Sequence, residues 1–278
     1  MRLMSEGGQA SVFAGWMKWG RGRRRVAVKI YRSYPSFLPA FLREIRVLHR
    51  CKHPNIVKLL GRYLDHTTQG LILEYLTGIN LRQLSFWLHS SGNDISTAPV
   101  RYVVWQILDA LHHLHEVVSE QMVGHQLVHG DISPENIFLT ADGRVYLIDF
   151  GNVWTGASEA AGLVFGKSKY FSPEQRIGDN LGPWSDIYGL ALTAFELIFG
   201  RPYREDLLIN EFNLLERSLK MPDRQLCHWF RACLAPSPWL RPQSALAASV
   251  ILSHDDGKCT GRDELAQMVK EASAQAAN

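Results

Sequence analysis

The apolar residues of this 278-residue chain change their period part-way along, and that change limits the folds open to it. Up to about Leu76 the pattern is that of strands and one helix. In RRVAVKIY, residues 24–31, Ala27 and Lys29 fall on one face while Val26, Val28 and Ile30 fall on the other, the period-two alternation of a half-buried strand. SVFAGWMKWG before it reads as another strand, with RGR at residues 21–23 as the turn. FLPAFLREIRVLHR reads as a helix, because Pro39 suits a first turn and Leu42, Ile45 and Leu48 form an apolar stripe. NIVKLLGRYL and GLILEYL read as two further strands.

Beyond that point the period becomes helical. Val100, Val103, Val104, Ile107, Leu108, Leu111 and Leu114 recur at the spacing of one helix face. SDIYGLALTAFELIFG is apolar nearly all round, the signature of a buried helix, with Gly200 and Pro202 as its stop. A mainly β part followed by a mainly α part is an α+β arrangement of two lobes with a cleft between them. The expected organisation is one domain over residues 1–256, with lobes at about 1–76 and 77–256. A polar, alanine-rich tail over 257–278 is expected to form a short helix or to fray.

Composition excludes several classes. A net charge of +3 singles out neither nucleic acid nor a membrane as partner, and the basic run at residues 21–25 reads as a solvated turn. Cys51, Cys227, Cys233 and Cys259 form no CxxC pair and no metal-ligand spacing, so they read as reduced thiols of a cytoplasmic protein. No apolar run reaches the ~18 residues of a membrane span, and no signal sequence is visible, although specialised secretion leaves no such mark. The histidines at 112, 113 and 115 tempt a metal reading, but helix-end packing is the plainer one.

Eight short motifs occur in order: SEGGQASV, VAVK, REI, HGDISPEN, DFG, SPE, SDIYGL and WLRP. With them the chain resembles the eukaryotic-like protein kinases over nearly its whole length, especially bacterial-type members of the serine/threonine branch. The resemblance implies a bilobal kinase fold with a small β-rich lobe carrying one helix and a larger α-helical lobe. It implies transfer of the ATP γ-phosphate to a hydroxyl of a protein substrate, with Mg2+ or alternatively Mn2+. Lys29, paired with Glu44, is implied to contact the α- and β-phosphates. Asp149 and Asn136 are the implied metal ligands, and Asp131 the acceptor of the substrate proton. Gly7 and Gly8 would cover the phosphates. Val12 and Ala27 would pack above the adenine, Leu73 behind it, and the Glu74 carbonyl and Leu76 N–H would bond its edge. Leu48, Leu59, His129 and Phe150 match an apolar spine, Asp186 a tie to the catalytic loop, and Glu174 with Arg241 an ion pair of the helical lobe.

Three departures from the family pattern matter. Of three loop glycines, at positions 5, 7 and 10, only Gly7 is kept, with Ser5 and Ala10 at the others. Gly130 stands where an arginine usually receives an activation-loop phosphate, so the expectation is a kinase that does not need such phosphorylation. Ser133 replaces a lysine, while Lys167 stands where a hydroxyl residue is common. A reciprocal exchange is therefore expected, Lys167 supplying the charge and Ser133 the hydrogen bond. Two rival readings remain: a pseudokinase scaffold, and a small-molecule kinase of the aminoglycoside type, which shares HGD and the asparagine five residues on. No nucleic acid or membrane anchor is expected, the oligomeric state is left open with a monomer as the default, and the protein substrate has no signature.

Overall fold

A computed structural model describes residues 1–8, 10–32, 38–64, 68–122, 126–156, 167–201, 223–252 and 258–275. The strands are β1 (Arg2–Glu6), β2 (Ala10–Trp19), β3 (Gly22–Tyr31), β4 (Leu59–Leu64), β5 (Gln69–Glu74), β6 (Gly78–Asn80), β7 (Ile137–Thr140) and β8 (Val145–Leu147). Among the described residues β1–β5 form one antiparallel sheet in the order β1-β2-β3-β5-β4. Helix α1 (Leu38–Arg50) packs against β4 and β5, burying Phe41, Glu44, Val47 and Leu48. Among the described residues this is the β-rich lobe with a single helix.

The helical lobe follows, built on α2 (Leu81–Ser90), α3 (Thr97–His112), α4 (Ser119–Gln121), α5 (Pro173–Ile177), α6 (Pro183–Phe199), α7 (Arg224–Cys233), α8 (Ala245–Ile251) and α9 (Lys258–Gln275). A small sheet, β6-β7-β8, lies at its junction with the first lobe. Helix α6 is buried along nearly its whole length, as its all-round apolar pattern requires, and Gly200 ends it in the left-handed conformation. Pro202 and Ser158 lie outside the described residues, as does the side chain of Cys259. The bilobal α+β kinase architecture is the one observed.

Three elements differ from their sequence reading. NIVKLLGRYL becomes a strand only from Leu59. Asn55 and Val57 instead pair with Leu147 of β8 through Leu147 N–H to Asn55 C=O at 2.7 Å and Val57 N–H to Leu147 C=O at 3.2 Å. The Asn55 amide donates to Val145 C=O and Gln106, so this stretch fastens α1 to the helical lobe rather than extending the sheet. The long helix keeps an α-helical ladder only to His112 and continues as a π-helical turn, His113–Val118. Finally, residues 258–275 form an 18-residue helix rather than a short or frayed one. Leu265, Val269 and Ala272 are buried there, packed with α3, and a Cβ at Gly261 would lie 2.5 Å from Ala98 C=O, so glycine permits that close approach. Among the described residues, no helix is long and apolar enough to cross a membrane.

Candidate active site

Strand parity sets the upper wall. Val12 pairs with Lys29, Ala27 with Leu73 and Lys29 with Leu71. Directly opposed residues share a face, so Val12, Ala27, Lys29, Leu71 and Leu73 line one side of the sheet. Leu73 is buried, and Leu76 packs partly buried against the core. The Glu74 carboxylate is occupied outside the pocket, accepting from Lys58 N–H at 2.8 Å. Before the strand, Gly7 N–H donates to Ala10 C=O at 2.9 Å. A Cβ added at Gly8 would meet nothing within 4 Å, and one at Gly7 only Ala10 C=O at 3.4 Å.

Lys29 Nζ lies 2.7 Å from Glu44 Oε2 and 2.7 Å from Asp149 Oδ1. Its burial would lower the ammonium pKa, but the Asp149 and Glu44 carboxylates outweigh this and hold it well above the ordinary lysine value. For Asp149, withdrawal from water would raise the carboxyl, and Lys29 overrides it and keeps it below its usual range. Glu44 also accepts from Phe150 N–H at 3.1 Å and from the Tyr31 hydroxyl. Asp149 adopts φ 65°, a costly left-handed conformation outside glycine, which these bonds hold in place.

The lower wall is the loop from His129 to Asn136. Asp186 grips its backbone, accepting from His129 N–H at 2.7 Å and Gly130 N–H at 2.8 Å, while His115 Nε2 lies 2.8 Å from Asp186 Oδ2. His129 stacks edge-on against Phe150 with centroids 4.9 Å apart. The asparagine amide Nδ2 of Asn136 donates to Asp131 C=O at 2.8 Å and Asp131 Oδ2 at 2.9 Å. Both donor contacts are on the nitrogen, so the planar amide turns its carbonyl oxygen away from Asp131. Burial raises the Asp131 carboxyl above its ordinary value, against the pull of Lys167 and His129.

Lys167 and Ser133 meet: Lys167 Nζ is 3.0 Å from Ser133 Oγ, and Lys167 N–H donates to Asp131 Oδ1 at 3.2 Å. Glu135 Oε2 lies 3.5 Å from the same ammonium. Further off, Arg241 and Glu174 form a buried pair at 2.7 Å. Of the histidine group only His115 joins this network, and among the described residues no cluster of three or more His, Cys, Asp or Glu side chains is arranged to hold a metal.

A sequence model of the protein kinase domain matches residues 1–245. The chain belongs to the protein kinase domain family. Among curated relatives, the tyrosine-protein kinase MasK of Myxococcus xanthus is 30% identical over 81% of this chain and 36% of its own length. The probable serine/threonine-protein kinase PknB of Lactococcus lactis is 29% identical over 72% of this chain and 31% of its own. The serine/threonine-protein kinase PrkC of Bacillus subtilis is 31% identical over 64% and 27% respectively. The chain thus spans about a third of these relatives. Kinases of this family generally use ATP with a divalent metal and act on proteins.

Several residues that contact the site or its supports in the kinase domain were absent from the sequence reading. Tyr31 shares the strand face of Lys29, a parity that could have found it. Asn152 donates to Asp131 Oδ2 at 3.3 Å, and nothing but its place after DFG hints at this. Arg82 reaches from α2 to Glu135 at 3.1 Å, to Glu196 and to the Tyr170 hydroxyl, and that hydroxyl donates to Glu196 at 2.5 Å. These residues are far apart in sequence, and no local pattern links them.

Proposed function

We propose that the chain is an ATP-dependent protein kinase that transfers the γ-phosphoryl group to a serine or threonine hydroxyl. The observation that carries this is the convergence on one cleft of Lys29, held between Glu44 and Asp149, with Asp131 and Asn136 bonded to each other. Phosphoryl transfer needs charge neutralisation and positioning more than covalent chemistry. Lys29 is positioned to meet the α- and β-phosphates. Val12, Ala27, Leu73 and Leu76, with the backbone of Glu74, suit the apolar slot of an adenine. Among the described residues nothing crowds a Cβ at Gly7 or Gly8, so their bare backbone suits close approach to phosphate.

Asp149 and Asn136 would hold Mg2+ or Mn2+. Two hard oxygen donors suit such an ion, which takes its remaining ligands from water and the nucleotide phosphates. When bound, the ion neutralises charge on the transferring phosphates. Asp131, fixed by Asn136, Asn152 and Lys167 N–H, orients the substrate hydroxyl and takes its proton as that oxygen bonds to phosphorus and the bond to ADP breaks. The contact of Lys167 with Ser133 supports the reciprocal exchange, Lys167 placing its charge beside the γ-phosphate and Ser133 holding it there.

The presence of Lys29, Glu44, Asp131, Asn136 and Asp149 together argues against an idle scaffold. The Glu174–Arg241 pair and buried α6 argue against a small-molecule kinase. The names of PknB and PrkC support serine or threonine as acceptor, whereas the name of MasK makes tyrosine the alternative to test. The test is phosphorylation of a generic protein with Mg-ATP, followed by phosphoamino-acid analysis. Phosphoserine or phosphothreonine, abolished by Asp149→Ala or by chelation, is expected. Product surviving in Asp149→Ala overturns the site, and phosphotyrosine alone overturns the acceptor assignment.

A further inference from the structure

Residues 1–43 carry nine Lys and Arg against the single acid Glu6, whereas the remaining residues carry 21 against 26. Over the whole first lobe, residues 1–76, the count is 14 against four, and over the rest 16 against 23, so the modest net charge hides a strongly basic lobe on an acidic partner. Much of the positive charge sits on one projection. The last pairing of β1 with β2 is Arg2 with Ala14, and the last of β3 with β5 is Val26 with Glu74. From Trp16 to Arg25 the β2–β3 hairpin is therefore a two-stranded ribbon running beyond both neighbours, paired as Trp16–Arg25, Met17–Arg24, Lys18–Arg23 and Trp19–Gly22.

The ribbon reads WMKWGRGRRR: five cations, two tryptophans and no acid. Trp16 is 67% exposed and Trp19 53%. A two-stranded ribbon has no layer to bury either face against. Solvation alone would favour small polar residues here, so two exposed tryptophans among cations point to a partner with a wet anionic layer over an apolar one. Tryptophan settles at lipid headgroup depth, and Lys and Arg are drawn to acidic headgroups.

We propose that this ribbon docks the kinase domain on an anionic bilayer surface, with Trp16 and Trp19 at headgroup depth and Lys18, Arg21, Arg23, Arg24 and Arg25 against acidic lipids. A single-stranded nucleic acid fits less well. Such a strand tracks one groove and stacks bases on open aromatic faces. Here register puts Trp16 and Trp19 on opposite faces of the ribbon. Arg24 already covers the Trp19 ring at 5.1 Å, and Arg25 covers the neighbouring Tyr75 ring at 4.0 Å. Edge-on contact with a bilayer uses both faces of the tip at once. The proposal is independent of catalysis.

The test is co-sedimentation of the full chain with vesicles of phosphatidylcholine alone or with added phosphatidylserine. A second arm measures binding to a single-stranded oligonucleotide at the same salt. Binding is expected on the anionic vesicles only. The Arg21→Gln, Arg23→Gln, Arg24→Gln triple variant should bind roughly 10²-fold more weakly, about fivefold per cation. Trp19→Ala should weaken binding also at high salt, where charge is screened. A control triple on the helical lobe, Arg224→Gln, Arg231→Gln, Lys270→Gln, should bind as the parent does. No binding to either vesicle, equal loss in the control triple, or tighter binding to the oligonucleotide overturns the proposal.

Discussion

Two lysines face the same cleft and are held in opposite ways. Lys29 rises from the middle of a strand, its side chain 8% exposed, with a carboxylate at 2.7 Å on each side. Lys167 comes from a loop, 38% exposed, with one hydroxyl at 3.0 Å and a carboxylate at 3.5 Å. Burial makes the first charge a structural member, since its partners would be left uncompensated without it. The second lies where water can replace its contacts, so its removal should leave the fold alone. On the proposed function, the comparison separates charge that would serve both stability and chemistry from charge that would serve chemistry only.

The sharpest way to break it is Lys29→Met. Glu44, fully buried beneath the sheet, then loses the cation that compensates it and lies beside Asp149 with nothing between them. A loss of about 3 kcal/mol of stability is expected, with turnover down roughly 10³-fold or more, measured by urea unfolding and by initial rates with Mg-ATP. If stability stays level while turnover falls, Lys29 is no more structural than Lys167.

A smaller effect is expected at Lys167. Lys167→Ala should cost roughly 10² in turnover, the scale of one charge contact made in the transition state, with stability within about 0.5 kcal/mol. Restoring the commoner arrangement in the double variant Ser133→Lys, Lys167→Thr should recover most of that loss, because the ammonium then reaches the same space from the other wall. Unchanged turnover in Lys167→Ala would falsify the exchange.

How far the sequence alone reached follows the same division. Lys29, Glu44, Asp131, Asn136 and Asp149 sit in short motifs whose order is visible in the chain. The change from period two to period 3.6 separated the lobes. Contacts made by residues remote from one another, such as Arg82 with Glu135, Glu196 and Tyr170, left no local trace. Neither did the fastening of Asn55 to β8, because its neighbours Ile56 and Val57 carry the apolar character of a strand. The length of α9 was hidden because its apolar residues are diluted by alanine and charge, and only the surface of α3 makes their spacing count. Gly130 was read as a lost arginine. Its φ of +76° supplies a second reason for glycine, and a Cβ there would lie 3.0 Å from Asn152 C=O.

The smallest expected effect concerns the segment between the DFG motif and Lys167. A phosphate there acts by giving a mobile segment a cationic anchor. In this chain both described ends are already tied by hydrogen bonds. Val128 and Trp154 exchange N–H···O=C contacts of 3.0 and 2.8 Å, Arg43 donates to Val153 C=O at 3.1 Å, and Lys167 N–H holds Asp131. The catalytic loop is itself gripped by Asp186 and by the Gln175 amide, which donates to Gly130 C=O at 3.0 Å. Position 130 offers no side chain to receive a phosphate. Replacing Thr155, Ser158 and Ser168 together by Ala should therefore leave initial rates within a few-fold of the parent. A collapse of the rate, reversed by Glu at one of the three positions, would show that activity depends on added negative charge after all, and that the ties described at Val128, Val153, Trp154 and Lys167 do not suffice.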